Sequence, residues 1–402
     1  MSNNATDNGS GCAYGRSLQT HDAELTEVGP GTACGEFMRR YWHPVELSER
    51  LGERPIEIRV LGEDLILFRD KAGRPGLITP RCVHRGAPMS FAKVEERGIR
   101  CPYHGWLFDT QGRCLEQPCE VNDKPAFRER CRQPWYPVEE QYGLIFAYLG
   151  PPERMPILPR WAPFEGLGLD EKIVPDAASY SVGGDDSKEL IPWNWLQDWE
   201  NTMDPYHVVI LHSAFSGPQF NPAMAVMPRV EWHYTPLGMQ YTAFRRLPDA
   251  KKMDRITHVM FPNLRSVPNI QLSEGVAESM GWLVPVDDTH HRTFHITRMP
   301  LDFKGIPLVT APVLEKKWSE MTDEERWLAP GDWEIQKGQG PITLHSEERL
   351  GSSDTGVVML RRRLREQILL VRDGGNPLGI ELDPSAPPSQ IGAGNFYHTR
   401  QE

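Results

Sequence analysis

Apolar and polar residues alternate through IEIRVLGEDLILFRD, a stretch that begins at Ile56. A period of two is typical of β-strands that bury one face, and the stretch divides into two such runs around Gly62-Glu63-Asp64. A hairpin is therefore predicted at this point. Short strand-like runs separated by Gly and Pro continue to YGLIFAYLG at residues 142–150. The pattern predicts a small all-β domain over residues 40–150.

The pattern changes after a proline-rich stretch, residues 151–163, which predicts a domain boundary. NWLQDWENTMDPYHVVILHSAF at residues 194–215 has apolar residues at helical spacing, and residues 228–300 alternate again like strands. From Met321 through RRRLREQILLVRD the spacing is helical once more. Helices before and after a sheet-forming region predict an α+β domain over residues 151–402.

Residues 1–39 are predicted to form an N-terminal extension. Its first 22 or so residues are dominated by Asn, Gly and Ser, which predicts a flexible segment because little apolar surface is available for burial. EFMRRYWH at residues 36–43 predicts a short helix that carries an aromatic anchor.

Composition narrows the functional classes. The 402 residues suffice for two domains, and the net charge of −11 argues against nucleic-acid or anionic-membrane binding, since both need basic surfaces. No apolar run is long enough to span a bilayer, and the polar N-terminus lacks the apolar core of a secretory signal. Seven cysteines, an odd number in a long chain, do not suggest a disulfide scaffold. A cytoplasmic protein with reduced thiols is predicted.

Two Cys/His pairs lie close together in CVHRGAPMSFAKVEERGIRCPYHGW, residues 82–106. Cys82 and His84 form the first pair, and Cys101 and His104 the second. Two thiolates and two imidazoles can bind one tetrahedral zinc ion. They can also bind a Rieske 2Fe–2S cluster, with both cysteines on one iron and both histidines on the other. Composition alone leaves these alternatives open.

The residues that flank the pairs favour the cluster. Gly86 and Gly105 follow the pairs and allow the backbone to approach a cluster closely, while Tyr103 and Trp106 are expected to shield it. Three nearby cysteines fit no ligand spacing and are predicted to be free thiols: Cys114, Cys119 and Cys131.

A second metal motif lies in ENTMDPYHVVILHSAF, residues 200–215. His207 and His212 are five residues apart, which is about 140° around an ideal α-helix. The helix must therefore bulge or unwind locally if both are to bind one ion, as π-bulges at functional sites do. In a regular helix the two histidines would instead be separate packing or surface groups.

These motifs resemble those of the Rieske non-haem iron oxygenases. CVHRG and CPYHGWLFD are similar to the family's cluster motif, and the pattern N-x-x-D-x-x-H-x4-H from Asn201 to His212 is similar to its mononuclear iron motif. GDWEIQKGQGPI at residues 331–342 resembles the family's C-terminal helix, which assigns Asp332 as the carboxylate ligand, with Glu334 and Asp354 as rivals and a helix-capping role as the alternative. The layout of residues 23–375 resembles the phthalate dioxygenase branch.

The resemblance implies an all-β Rieske domain followed by a helix-grip catalytic domain. Cys82 and Cys101 would hold one iron of the cluster, and His84 and His104 the other. His207, His212 and Asp332 would bind one mononuclear Fe(II). Asp204, near Asn201 in the motif, would bridge His207 to His104 of a neighbouring subunit in a homotrimer.

The implied reaction is hydroxylation or O-demethylation of an aromatic acid by O2. A separate NAD(P)H-dependent reductase, a ferredoxin or both would supply electrons, because the chain has no GxGxxG dinucleotide motif. The candidates for recognising a substrate carboxylate are Arg245, Arg246 and Arg265, and weaker candidates for substrate contact are His258 and His345. No metal role is predicted for His290, His291 and His295. The competing classes are a Rieske electron-transfer protein and a zinc-stabilised interaction protein.

Overall fold

The computed structural model describes residues 17–121, 125–177, 189–217, 219–247, 251–269, 272–303 and 316–398. The helices are α1 Ala23–Thr26, α2 Ala33–Met38, α3 Pro125–Arg128, α4 Trp195–Asn201, α5 Tyr206–Val209, α6 Asp323–Leu328, α7 Asp332–Gly338 and α8 Thr355–Arg372, with a π-helix at Ile210–Phe215. The strands are β1 Trp42–Leu47, β2 Ile56–Val60, β3 Glu63–Arg69, β4 Pro75–Ile78, β5 Lys93–Glu95, β6 Gly98–Arg100, β7 Leu107–Phe108, β8 Cys114–Glu116, β9 Trp135–Tyr136, β10 Val138–Gln141, β11 Leu144–Tyr148, β12 Glu171–Asp176, β13 Arg229–Tyr234, β14 Gly238–Arg246, β15 Lys252–Met260, β16 Leu264–Ser266, β17 Gly275–Val276, β18 Ser279–Asp287, β19 His290–Pro300 and β20 Gly394–His398.

The N-terminal half contains three small antiparallel sheets among the described residues. Their strand orders are β2-β3-β4-β9, β5-β6-β7-β8 and β1-β11-β10. A separate apolar core lies beneath the loops that carry the Cys/His pairs, and it includes Phe68, Ile78, Met89, Ile99 and Phe108. The loops are therefore supported from below by packed strands.

The predicted hairpin is present, but its turn lies slightly earlier than expected. Val60 pairs with Glu63, so the two turn residues are Leu61 and Gly62, which have φ values of 49° and 77°. Two positive φ values are what a two-residue turn of this handedness requires. Leu61 accepts this conformation in a buried position where its N–H donates to the carbonyl of Pro285 at 2.9 Å. The hairpin tip is thereby fixed to β18.

The C-terminal half contains a larger antiparallel sheet, with nine strands in the part of the chain that is described. Its main order is β12-β19-β18-β16-β15-β14-β13, and β20 pairs with β15 and β17. Leu360 and Leu364 of α8 share one buried core with Tyr241 and Val259 of the sheet and with Trp199 of α4. These helices on an antiparallel sheet, after an all-β half, confirm the predicted α+β fold class. No described helix combines the length and apolarity that crossing a membrane requires.

Two details near the N-terminus differ from prediction. The helix predicted at residues 36–43 begins earlier, because Thr32 accepts a hydrogen bond from the Gly35 N–H and so caps the N-terminus of the helix. It ends at Met38, and a strand begins at Trp42. Residues 1–16 of the predicted flexible segment lie outside the described residues. Asp22, at the end of that segment, is anchored to the C-terminal half because its N–H donates to His345 Nδ1 at 3.1 Å.

Candidate metal centres

The two Cys/His loops close in the same way. In the first loop the Gly86 N–H donates to the Cys82 carbonyl at 2.8 Å, and in the second the Gly105 N–H donates to the Cys101 carbonyl at 3.1 Å. Both glycines have positive φ, 72° and 73°, a conformation that side chains disfavour. The paired turns bring the His84 and His104 rings to a centroid separation of 4.5 Å.

Aromatic rings flank the two imidazoles. Trp106 is buried and stacks on His84, with the ring centroids 4.4 Å apart and the planes 8° from parallel. The Tyr103 ring lies 4.0 Å from that of His104 but remains 58% exposed, so it covers its histidine less completely than predicted. The Nδ1 atom of His104 is buried and has no hydrogen-bond partner, as expected of a nitrogen that would bind a metal.

The spread of the four side chains disfavours a single zinc ion. The ligand atoms around one tetrahedral zinc lie about 3.8 Å apart or less, given a Zn–S distance of about 2.3 Å. In the described part of the chain, three ligand atoms within 4.8 Å of one another occur only at His207, His212 and Asp332, and not among the Cys/His loops. Burial and the neighbouring thiol of Cys101 raise the pKa of Cys82 to about 11, so its thiolate needs a bound cation. The four residues fit a two-iron cluster.

A buried glutamine that sequence reasoning missed supports the first loop. Gln133 Oε1 accepts the Val83 N–H at 2.9 Å, and its Nε2 donates to the carbonyls of Thr79 and Arg81 at 3.0 and 2.8 Å. The extra cysteines are free thiols, as predicted: Cys114, Cys119 and Cys131.

The second motif does not form a regular helix. α4 ends at Asn201, and α5 passes directly into the π-helix, so His207 lies on α-helical backbone and His212 on the wider π turn. This confirms the local bulge that the five-residue spacing demanded. A wider turn rotates His212 back toward the face that carries His207.

The structure brings the two histidines and the predicted carboxylate together. Asp332 Oδ1 lies 3.2 Å from His212 Nε2 and 3.7 Å from His207 Nε2. His212 Nε2 is buried without a hydrogen-bond partner, so it is available to a metal. The donor set of two imidazoles and one carboxylate is the facial triad of non-haem Fe(II) sites. These three residues therefore lie close enough together to bind one metal ion.

Neighbouring groups keep the carboxylate of Asp332 ionised, which is the form that binds a cation. Burial raises the pKa of Asp332, but the neighbouring His212 and His207 rings and a hydrogen bond from Asn201 outweigh burial and lower the pKa to about 2. Asn201 thus contacts the predicted carboxylate ligand. Burial likewise opposes the ionised form of Asp204, yet the hydrogen bond and charge of His207 hold its pKa below the ordinary value. Asp204 Oδ2 lies 3.4 Å from His207 Nδ1.

The rival carboxylates have other partners. Glu334 Oε2 accepts the Gly331 N–H at 2.9 Å and so caps α7, which leaves Asp332, the first residue of that helix, free of a capping role. Asp354 accepts the Gly351 N–H at 2.6 Å at the start of α8. Neither joins the cluster around His207 among the described residues.

Several weaker candidates lie in other environments. Arg265 donates to Asp198 at 2.7 Å, and Asp198 also lies 3.2 Å from His291 Nε2, so this charge already has a buried partner. His258 Nε2 lies 2.9 Å from the Thr235 hydroxyl. The His290 ring lies 3.0 Å from Asp287.

Known proteins share the sequence and the fold of this chain. The Rieske [2Fe-2S] domain family matches residues 41–137. The chain is 47% identical to phenoxybenzoate dioxygenase subunit alpha of Ectopseudomonas oleovorans, over 97% of this chain and 95% of that protein. It is 33% identical to the 5,5'-dehydrodivanillate O-demethylase oxygenase subunit of a Sphingobium species, over 90% and 83%. The solved structure of the Pseudomonas putida CBB5 NdmA QL mutant with caffeine has a TM-score of 0.62 at 21% identity, over 88% of this chain and 99% of that chain, which shows the shared fold.

The chain therefore belongs to the Rieske non-haem iron oxygenases. Within that family it is an oxygenase (alpha) component of the phthalate dioxygenase-like branch. The cofactors of such an oxygenase are one Rieske 2Fe–2S cluster and one mononuclear iron.

Proposed function

We propose that this oxygenase hydroxylates or O-demethylates an aromatic acid, with O2 as co-substrate and electrons from a separate NAD(P)H-dependent reductase. The observation that carries the proposal is the convergence of His207, His212 and Asp332 beside a cluster of buried apolar side chains. When bound there, ferrous iron supplies open coordination positions at which dioxygen can be activated. The chain's own task is to hold substrate beside that position and to exclude water.

This apolar cluster begins at the metal site itself. The Phe220 ring lies 4.6 Å from the His212 ring. Phe220 and Val208, which follows His207, pack with the buried side chains of Met224, Met253 and Leu272. The ring of an aromatic substrate would be well accommodated beside such apolar side chains, since a ligand site needs only a few polar groups.

Arg245 places a positive charge on the same sheet face as this apolar cluster. It lies opposite Met253 in the β14–β15 pair and therefore shares its face of the sheet. The side chain is 3% exposed, its Nε donates to the Val226 carbonyl at 3.0 Å, and its Nη1 has no hydrogen-bond partner. Burial lowers the pKa of Arg245, so its charged form gains from an anionic partner. A substrate carboxylate would provide one.

We expect Arg245→Leu to raise the KM for an aromatic acid about 10- to 100-fold, since a hydrogen bond to a charged group contributes about 1.5–3 kcal/mol. The KM for the corresponding uncharged amide should change far less. Steady-state assays with both compounds measure the difference. Equal effects on acid and amide would show that Arg245 only supports the fold.

Arg246 provides a matched control because it is the next residue on the same strand. Its side chain is exposed on the opposite face, as the alternation of strand residues predicts. Arg246→Leu removes the same charge from the same strand, and it should leave the KM for the acid unchanged.

We propose that the oxygenase works as a homotrimer, in which the cluster of one subunit lies beside the mononuclear iron of the next. A head-to-tail contact that closes by rotation produces such a ring. Asp204 supports this arrangement: it faces His207 Nδ1, and its side chain is 29% exposed and so within reach of a partner. The His104 ring of the neighbouring subunit would approach from that side.

Metal and sulfide analysis of anaerobically purified protein tests whether the protein contains both iron centres. We expect about three irons and two sulfides per chain, with a Rieske EPR signal after reduction by dithionite. Such protein, supplied with a reductase and NADH, should convert a panel of aromatic acids, and formaldehyde release would distinguish demethylation from ring hydroxylation.

Two other results would contradict the proposal. Two irons per chain, with no third iron bound after Fe(II) is added, would indicate an electron-transfer protein. A colourless protein that contains zinc would indicate that the Cys/His loops have a structural role.

A further inference from the structure

We propose that Gln219 is a positioning residue for the mononuclear site: it fixes the tautomer of His212 and ties that histidine to the segment that carries Asp332. The inference rests on the proposed iron site. Gln219 lies just after the π-helix and is 4% exposed. Sequence reasoning gave it no role.

The hydrogen bonds of Gln219 determine which way its amide points. Its Nε2 lies 3.4 Å from the Pro330 carbonyl, which can only accept, so the nitrogen of the amide must face Pro330. The amide oxygen then faces His212 Nδ1 at 2.6 Å. An amide oxygen can also only accept, so Nδ1 must carry the proton.

This assignment decides what the other nitrogen of His212 can do. A neutral imidazole carries one proton, so protonation at Nδ1 leaves a lone pair on Nε2. That atom is the one that lies 3.2 Å from Asp332 Oδ1, on the side where the ligand atoms converge. Gln219 therefore selects the tautomer that can bind a metal.

Gln219 also connects two separate parts of the chain. Its backbone N–H donates to the His212 carbonyl at 2.9 Å, so both its backbone and its side chain contact that one residue. Pro330 lies two positions before Asp332, and its carbonyl accepts a second hydrogen bond from Ser216 Oγ at 2.6 Å. The two ligand segments are thus held in one register.

A packing role alone does not account for this residue. Burying an amide costs free energy unless its polar atoms are paired, so an apolar side chain of equal length would be the less costly filler. Both polar atoms of Gln219 are instead paired with residues of the metal site. Partners of this kind, which orient a ligand without touching the metal, typically alter metal affinity about 10- to 100-fold.

The test uses Gln219→Met, which keeps the length of the side chain and removes both polar atoms, in the full-length protein loaded with Co(II) at the mononuclear site. We expect the wild type to show solvent-exchangeable, hyperfine-shifted imidazole N–H resonances for both histidines. In Gln219→Met the His212 resonance should disappear through rapid exchange. Affinity for Fe(II), measured by chelator competition, should fall about 10- to 100-fold while the Rieske EPR signal stays intact.

Two further variants separate tautomer control from simple anchoring. Gln219→Glu keeps an acceptor for Nδ1–H and should retain the His212 resonance; its loss would overturn the proposal even if the Met variant failed to fold. Ser216→Ala removes a Pro330 hydrogen bond without touching His212, and it should retain the His212 resonance. Loss of that resonance in Ser216→Ala, or wild-type behaviour in Gln219→Met, would also overturn the proposal. Failure of the wild type to bind metal there would instead refute the proposed iron site.

Discussion

Substrate oxidation should fall to the background level when His207 is replaced by alanine, while the Rieske cluster keeps its EPR signal. His207 Nε2, His212 Nε2 and Asp332 Oδ1 are the three ligand atoms that converge, and the loss of His207 leaves two donors for the ion. Two donors hold a ferrous ion weakly, so iron content should fall from about three to about two per chain, with sulfide unchanged at about two. Metal analysis, EPR and a turnover assay on the same sample check the result.

The cluster should survive because the two sites have separate supports. The Cys/His loops rest on a core of N-terminal strands that includes Phe68 and Phe108. His207 lies on α5 in the C-terminal half. Loss of the Rieske signal in the variant would show that the sites are not independent.

His233 offers a control for the same change. It lies on β13 with a side chain that is 51% exposed, and it takes no part in the metal cluster. His233→Ala should therefore retain its iron and its turnover. A similar loss of activity in both variants would mean that removing a histidine harms the protein in a general way.

The candidate metal ligands could be predicted from sequence because their chemistry constrains spacing. A spacing of five positions from His207 to His212 is incompatible with one face of a regular helix, so the bulge followed from the requirement that both bind one ion. Asp332 lies far away along the chain, and only the resemblance to a family motif selected it over Glu334. In the structure Glu334 caps α7, whereas Asp332 lies beside both histidines.

The residues that support the ligands could not be predicted in this way. Gln133 and Gln219 act through single buried amides, and a lone amide produces no periodicity and matches no ligand spacing. Strand β20 was missed for a similar reason: it is a short segment, and its pairing with β15 joins residues far apart in sequence. Tertiary contacts, which local patterns do not encode, decide such features.

Asp204→Asn should leave both metal sites loaded but slow electron transfer between them. Asp204 Oδ1 accepts the Tyr206 N–H at 2.8 Å, and Oδ2 faces His207 Nδ1 at 3.4 Å. Asparagine keeps the shape but loses the charge, and its amide cannot accept hydrogen bonds on both sides. Changes to such partners of metal ligands typically cost about 10- to 100-fold, and we expect at least that reduction in rate.

A single-turnover experiment isolates this step. Protein with a reduced cluster is mixed with substrate and O2, and the absorbance of the Rieske cluster follows its oxidation. Asp323→Asn is a matched control because Asp323 is fully exposed at the start of α6, and it should react at the wild-type rate. If Asp204→Asn also oxidises its cluster at that rate, electrons do not pass by way of Asp204. If the variant loses its mononuclear iron, the carboxylate is needed to hold His207 rather than to connect the two sites.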